Sequence, residues 1–451
     1  MKKSLLPGYP KGEFITELIE SVLASVDPEL SVQKQCQRAG DQLIVAQHSY
    51  ELKTYGAIHV IGFGKAVLSM ALGLVSVLGD SVGDGFLITK HLDQTKQAQL
   101  PDSFTIMKGN HPVPGADTFA SSAALLKFAA NIQPEDLVIV LVSGGGSALC
   151  SAPVEAISSD DLQNITQILL GCGAEIQEMN AIRKHLDQIK GGGLAELLEP
   201  ATVISLILSD VIGSPLDVIA SGPTVPDSST FNDVAEIFSR YDLWQRLPDS
   251  IGQLVENALA GQIPDTPKLG SDCFQHVSNY LIADNRLACQ TAVEFARKAG
   301  LNAELMTTAL NGEAREVGKV LASLMKHIRK YHSPFKPPVC LVFGGETTVT
   351  LKGTGKGGRN QELALGALPE IAGLDDVLLV TLATDGEDGP TDAAGAWVTG
   401  ESLRKVKALD LSVDEAINNS DSYAFFSTLN QIVHTGPTGT NVNDVTVCFV
   451  F

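Results

Sequence analysis

Short apolar runs recur along the chain, and several end in glycine or an acidic residue before a stretch of helical periodicity. Leu137–Val142 (LVIVLV) has no polar alternation. It predicts a parallel strand buried on both faces, which stops at Ser143-Gly144-Gly145-Gly146-Ser147. The run at 57–63 passes through Gly62, Gly64 and Lys65 into an apolar helical stretch ending near 79. Further strands are predicted at 85–90, from 104, and at 202–210, the last ending in Ser209-Asp210. A helix is expected over 13–26, where Phe14, Leu18, Val22 and Leu23 share a face. Another begins near 159, with Ser158 and Asp161 spaced as a capping box. A third is expected over 174–190, which sets Arg183 and Lys190 on one face just before Gly191-Gly192-Gly193. Strands alternating with helices point to a doubly wound parallel sheet.

Periodicity weakens over 228–276, where Pro and Asp accumulate. A boundary is expected here, with 261–270 as the linker, giving domains 1–265 and 270–451. Beyond it, 280–306 reads strand, helix, strand, and a long helix follows at about 313–331. Residues 337–368 read strand, Gly-Gly, strand, glycine-rich loop, helix. A strand from 376 runs into Asp385-Gly386-Glu387-Asp388, and the chain closes on a polar Gly/Thr/Asn loop and a last strand.

Composition narrows the classes. A chain of 451 residues with 44% hydrophobic residues can bury more than one core. A formal net charge of −20 argues against nucleic acid and anionic membranes as partners, so cations inside glycine loops carry information. Seven cysteines without a C-x-x-C pair suit reduced thiols and a cytoplasmic location. No signal-peptide pattern or membrane-length apolar run is present.

The chemistry gathers at strand ends. The 143–147 turn lets backbone N–H groups approach an anion, and its two serines add hydroxyls. Lys65 stands near a helix start, where the macrodipole disfavours it; reaching toward a bound anion explains it better than a surface position. The third glycine of the dinucleotide fingerprint is replaced by Val67. His111, in the loop with Asn110, is either structural or a candidate ligand or base. Arg183 and Lys190 are either a solvated helix end or anion ligands. The loop from Gly353 to Glu362 carries Lys356 and Arg359, and lacks the Ser or Thr of a Walker A loop. Asp210, Asp385 and Asp388 are strand-end carboxylates suited to Mg²⁺ or to accepting a hydroxyl proton. Together these features describe a nucleotide- or phosphate-handling enzyme with its cleft between two α/β domains.

In order along the chain, VIGFGKA (60–66), GNHPVPGADT (109–118), VLVSGGGSAL (140–149), NAIRKHLDQIKGGGLA (180–195), LSDVIGSPLDVIASGPTVPD (208–227), GGETTVTLKGTGKGGRNQE (344–362), ATDGEDGPTDAAGA (383–396), DSYAFF (421–426) and TGPTGTNVND (435–444) resemble the type-II glycerate kinase family. The chain departs at Ser214, where an acidic residue is expected. The resemblance implies a Rossmann-like N-terminal α/β domain and a smaller mixed α/β C-terminal domain of the MOFRL type. It implies ATP-dependent phosphorylation of D-glycerate to 2-phosphoglycerate, with ATP and Mg²⁺ as cofactors. It carries over Lys65 and Arg359 as catalytic residues that neutralise the transferring phosphoryl group. On this reading Ser143, Gly144, Gly145, Gly146, Ser147, Asn110, Arg183, Lys190 and Lys356 bind substrate or phosphate. Asp210 and Asp385 complete the catalytic set, and Asp385 and Asp388 are the Mg²⁺ candidates. Two rivals stay open: an NAD(P)H-dependent hydroxypyruvate reductase and a non-catalytic sugar-phosphate-binding regulator.

Overall fold

The computed structural model describes residues 4–451. The chain forms two compact units, one from Pro28 to Ile282, the other from the residues up to Asp27 together with Ala283–Phe451. This differs from the expected division near 265 in two ways. The Val277–Ala283 strand joins the first sheet, so the 261–270 stretch is a loop within the first unit. The Gly12–Ser25 helix packs into the second unit, where Phe14 meets the rings of Phe295 and Phe449. An amphipathic helix joins whichever core covers its apolar stripe, whatever its place in the chain.

The first unit is built on a six-stranded sheet ordered Phe104–Lys108, Gly85–Thr89, Ile58–Phe63, Leu137–Val142, Thr202–Leu208 and Val277–Ala283. The pairings among the first five of these strands are parallel. Numbered by sequence within the sheet, the order is 3-2-1-4-5-6, that of the doubly wound dinucleotide-binding domains. Every residue of Leu137–Val142 is buried, as expected for a strand covered on both faces. A three-stranded antiparallel sheet over 36–51, absent from the sequence reading, also lies in this unit.

The second unit carries a mixed six-stranded sheet. Its order is Asn302–Leu310, Val339–Gly345, Asp444–Val450, Val377–Ala383, Gly395–Thr399 and Ile432–Val433. Only the first pairing is parallel; the others are antiparallel. The strand expected after Gly344-Gly345 does not form, and this stretch makes a single isolated bridge between Glu313 and Thr348.

The helix expected over 174–190 runs only from Ile176 to His185. The backbone leaves it at Leu186, and Asp187 accepts the N–H groups of Ile189 and Lys190. Lys190 therefore does not share a helical face with Arg183. None of the seven cysteines forms a disulfide. Among the described residues, no helix is long and apolar enough to cross a membrane.

Candidate active site

In an open parallel sheet, ligands bind beyond the strand C-termini where the strand order reverses. Here that point lies between Ile58–Phe63 and Leu137–Val142, which pair in parallel. The two strands are followed by Gly64-Lys65 and by the 143–147 turn, and these two loops are tied together. Lys65 N–H donates to the Gly144 carbonyl at 3.0 Å, and Ala66 N–H donates to Ser143 Oγ at 3.0 Å. Ser143 is thus a buried brace for the Lys65 loop rather than an open hydroxyl. Ser147 Oγ shares a 2.9 Å hydrogen bond with Ser221 Oγ.

The glycines of the turn serve close approach. A Cβ on Gly144 would lie 2.2 Å from Asp210 Oδ2. On Gly145, where φ is +79°, it would lie 2.9 Å from His111 Cδ2 and 3.2 Å from Lys65 Cε. Four groups thereby converge on one backbone turn: Lys65, exposed; His111 and Asp210, half-buried; and the glycines themselves. Burial and the nearby Lys65 and Lys90 lower the His111 pKa to about 4, so its imidazole is neutral near pH 7. Burial raises the Asp210 carboxyl above its usual range, against the pull of Lys65. The sequence placed His111 only as one option in a loop; its approach to Gly145 depends on the fold.

Beside the turn is a cavity of about 200 Å³, bordered by His111, Gly145, Ser147, Arg183, Asp187 and Lys190 among others. Lys190 is almost wholly buried, and its Nζ is bound to Asp187 Oδ2 and, at 3.2 Å, to the Cys150 carbonyl. Its charge is already compensated, which weakens the case for it as a phosphate ligand. Asn110 is likewise committed: its Oδ1 accepts Thr118 N–H at 3.2 Å and its Nδ2 donates to Asp117 at 3.2 Å, which secures the first turn of the Ala116–Ala129 helix.

On the second unit, Arg359 opens the Arg359–Ala367 helix. Its Nε and Nη2 donate to Asp444 at 2.6 and 3.0 Å, and Nη1 donates to Glu346 at 2.6 Å. Burial opposes its charge, but these carboxylates outweigh burial and hold the guanidinium protonated. Lys356 is exposed, on a loop whose glycines answer to packing. A Cβ on Gly353, Gly355 or Gly357 would strike residues 419–422, and one on Gly358 would strike Asp388. These glycines let the loop lie against neighbouring chain.

Asp388 is corrected as a metal candidate. Its Oδ1 accepts Asn360 N–H at 3.0 Å, and its Oδ2 accepts Gln361 N–H at 2.8 Å and Gln361 Nε2 at 2.9 Å. Both oxygens are consumed in capping the 359–367 helix, as an acidic group at a helix N-terminus does. Asp385 is half-buried, with Oδ1 accepting Glu387 N–H at 3.1 Å. Among the described residues no group of three or more His, Cys, Asp or Glu is placed to hold a metal ion. The residues present do not form a Mg²⁺ cage.

Two family models match the chain: a domain of unknown function, DUF4147, over residues 14–256, and the MOFRL family over 339–444. The chain is 38% identical to a glycerate 2-kinase of Pyrococcus horikoshii over 434 residues, 96% of each chain. It is 41% identical to a D-glycerate 2-kinase of Thermotoga maritima over 392 residues, 86% of this chain and 89% of that one. The crystal structure of a Thermotoga maritima glycerate kinase superposes with a TM-score of 0.85 at 36% identity, covering 97% of this chain and 99% of that one. Near full-length similarity in sequence and in fold places this chain in the type-II glycerate kinase family, whose C-terminal part is the MOFRL domain.

Proposed function

We propose that this protein is an ATP-dependent kinase that phosphorylates D-glycerate at its 2-hydroxyl. The observation that carries the reading is the convergence of Lys65, His111 and Asp210 on the 143–147 turn at the sheet's switch point. Phosphoryl transfer is mainly positioning plus stabilisation of charge on the transferred group. The glycine turn supplies N–H donors for that charge, and Lys65 supplies an exposed cation. Asp210, with its raised affinity for a proton, accepts the hydroxyl proton as the oxygen attacks. We propose Arg359 as a further cation for phosphoryl charge, a role that requires the half-exposed Glu346 to release Nη1. Mg²⁺ enters this reading only as the ion carried by the nucleotide. Unpaired cysteines favour a reducing compartment, the cytoplasm.

The strand order is the one observation favouring a nicotinamide-dependent reductase. Val67, in place of the third fingerprint glycine, speaks against it: its Cγ2 lies 2.4 Å from where a Gly62 Cβ would be, so side chain fills that position. Phosphorus NMR of an ATP and D-glycerate reaction tests the proposal on wild type and Lys65→Ala. A 2-phosphoglycerate signal that collapses by at least about 100-fold in the variant is expected. A 3-phosphate product would overturn the regiochemistry. NADH consumption with hydroxypyruvate, without ADP formation, would replace the kinase by the reductase.

A further inference from the structure

The 183–190 segment carries four basic side chains, and three of them are matched within the first unit. Lys184 Nζ is 3.1 Å from Asp227 and 3.7 Å from Asp217. His185 lies between the Ala181 carbonyl at 2.7 Å and Asp265 at 2.8 Å. Lys190 is paired with Asp187. Arg183 differs. It is half-buried, and among the described residues it has no hydrogen-bond or ion-pair partner. A guanidinium taken partly out of water with nothing opposite it is poorly placed unless an anion arrives.

Arg183 borders the cavity of about 200 Å³ that also meets His111, Gly145 and Ser147. The other charges on its wall, Asp187 and Lys190, cancel, so Arg183 is the uncompensated charge facing it. The cavity is smaller than the range of about 300–1,000 Å³ that holds drug-sized ligands, so it suits a few-atom acid rather than a nucleotide. Its wall carries two chemically different features: the fork of Arg183, matched to a carboxylate, and the Gly145 turn with His111, where Lys65 also approaches Gly145.

We infer that Arg183 anchors the carboxylate of the hydroxy-acid substrate in this cavity, turning its hydroxyl end toward Gly145 and His111. The inference rests on the kinase reading above and deepens it: Arg183 is the residue that selects acids over neutral polyols. Ser147 Oγ, shared with Ser221, is the hydroxyl on the wall able to join the carboxylate. Ser151 Oγ is not, because it donates to Asp187 at 2.6 Å.

Steady-state kinetics on the intact protein test this, with D-glycerate and its neutral amide as alternative acceptors, for wild type, Arg183→Gln and Arg183→Lys. Wild type should prefer glycerate by about 100-fold or more in kcat/KM. Arg183→Gln should raise the glycerate KM by about 30-fold, leave the ATP KM within about 2-fold, and erase the preference over the amide. Arg183→Lys should fall between, since it keeps charge and loses the fork; it carries the test if the glutamine variant does not fold. A raised ATP KM with an unchanged glycerate KM, or a preserved acid preference, overturns the assignment. If wild type does not phosphorylate glycerate, the kinase reading fails separately, and calorimetric titration of D-glycerate decides the anchor. Binding by wild type that is lost in Arg183→Gln upholds it, and no binding by wild type overturns it.

Discussion

Arg359 grips Asp444 through two parallel hydrogen bonds, Nε to Oδ2 at 2.6 Å and Nη2 to Oδ1 at 3.0 Å. Asp444 opens the Asp444–Val450 strand and Arg359 opens a helix, so the pair locks a helix N-terminus to the middle of the second sheet. Removing the acid leaves a half-buried cation whose remaining hydrogen-bonded acid is the half-exposed Glu346. Asp444→Ala should cost about 3 kcal/mol, read as a lowered urea midpoint at constant m. Glu346→Ala should cost less than about 1 kcal/mol, because that carboxylate is solvated. Equal losses in the two variants would contradict this division.

Lys190 and Asp187 form a buried pair in which the carboxylate also accepts Ser151 Oγ and Ala152 N–H. Lys190→Ala should therefore act on stability first, by about 3 kcal/mol, through the stranded Asp187 charge. Replacing both residues by apolar ones of similar volume should recover part of the loss. A Lys190→Ala protein with an unchanged thermal midpoint and a raised ATP KM would restore Lys190 as a phosphate ligand.

The His111 imidazole should titrate near pH 4 rather than at its usual 6.5, as followed by NMR of its ring protons. Burial is the larger cause and the Lys65 cation the next, so Lys65→Met should move the midpoint upward. The sign for stability follows. Between about pH 4 and 6.5 the unfolded chain holds this proton and the folded chain does not, so the contribution of His111 is lost as pH falls through that window. A His111→Gln protein should lack that part of the acid sensitivity.

Gly355 packs where a Cβ would lie 2.4 Å from Asp421 Cβ and 2.7 Å from the Asn419 carbonyl. Gly355→Ala should destabilise by about 2 kcal/mol, whereas Lys356→Ala, at an exposed neighbour, should stay within about 0.5 kcal/mol. Thermal unfolding of the two variants side by side checks this. A neutral Gly355→Ala would mean that the loop does not need its close approach to residues 419–421.

Local pattern carried much of the architecture. Strands such as Leu137–Val142 and Val377–Ala383 are legible because burial on both faces demands an unbroken apolar run. The Ser158–Asp161 capping box is legible because its partners are three residues apart. Less visible was where a helix stops. The 176–185 helix ends early because Asp187, paired with Lys190, captures backbone N–H groups that a longer helix would use.

The residue types at the candidate site, its glycine turn and its strand-end acids were all readable from the order of amino acids, as was the family. Which cations remain available was not. Arg359 meets its acid 85 residues later, and Asp388 reaches back 28 residues to cap a helix. Ionic and capping partners of that kind are chosen by strand order and packing, which no local window contains. The same applies to the approach of His111 to Gly145 and to Arg183, unpaired among the described residues. Apolar periodicity is a property of neighbours in sequence, whereas charge compensation belongs to neighbours in space, so only the folded chain decides it.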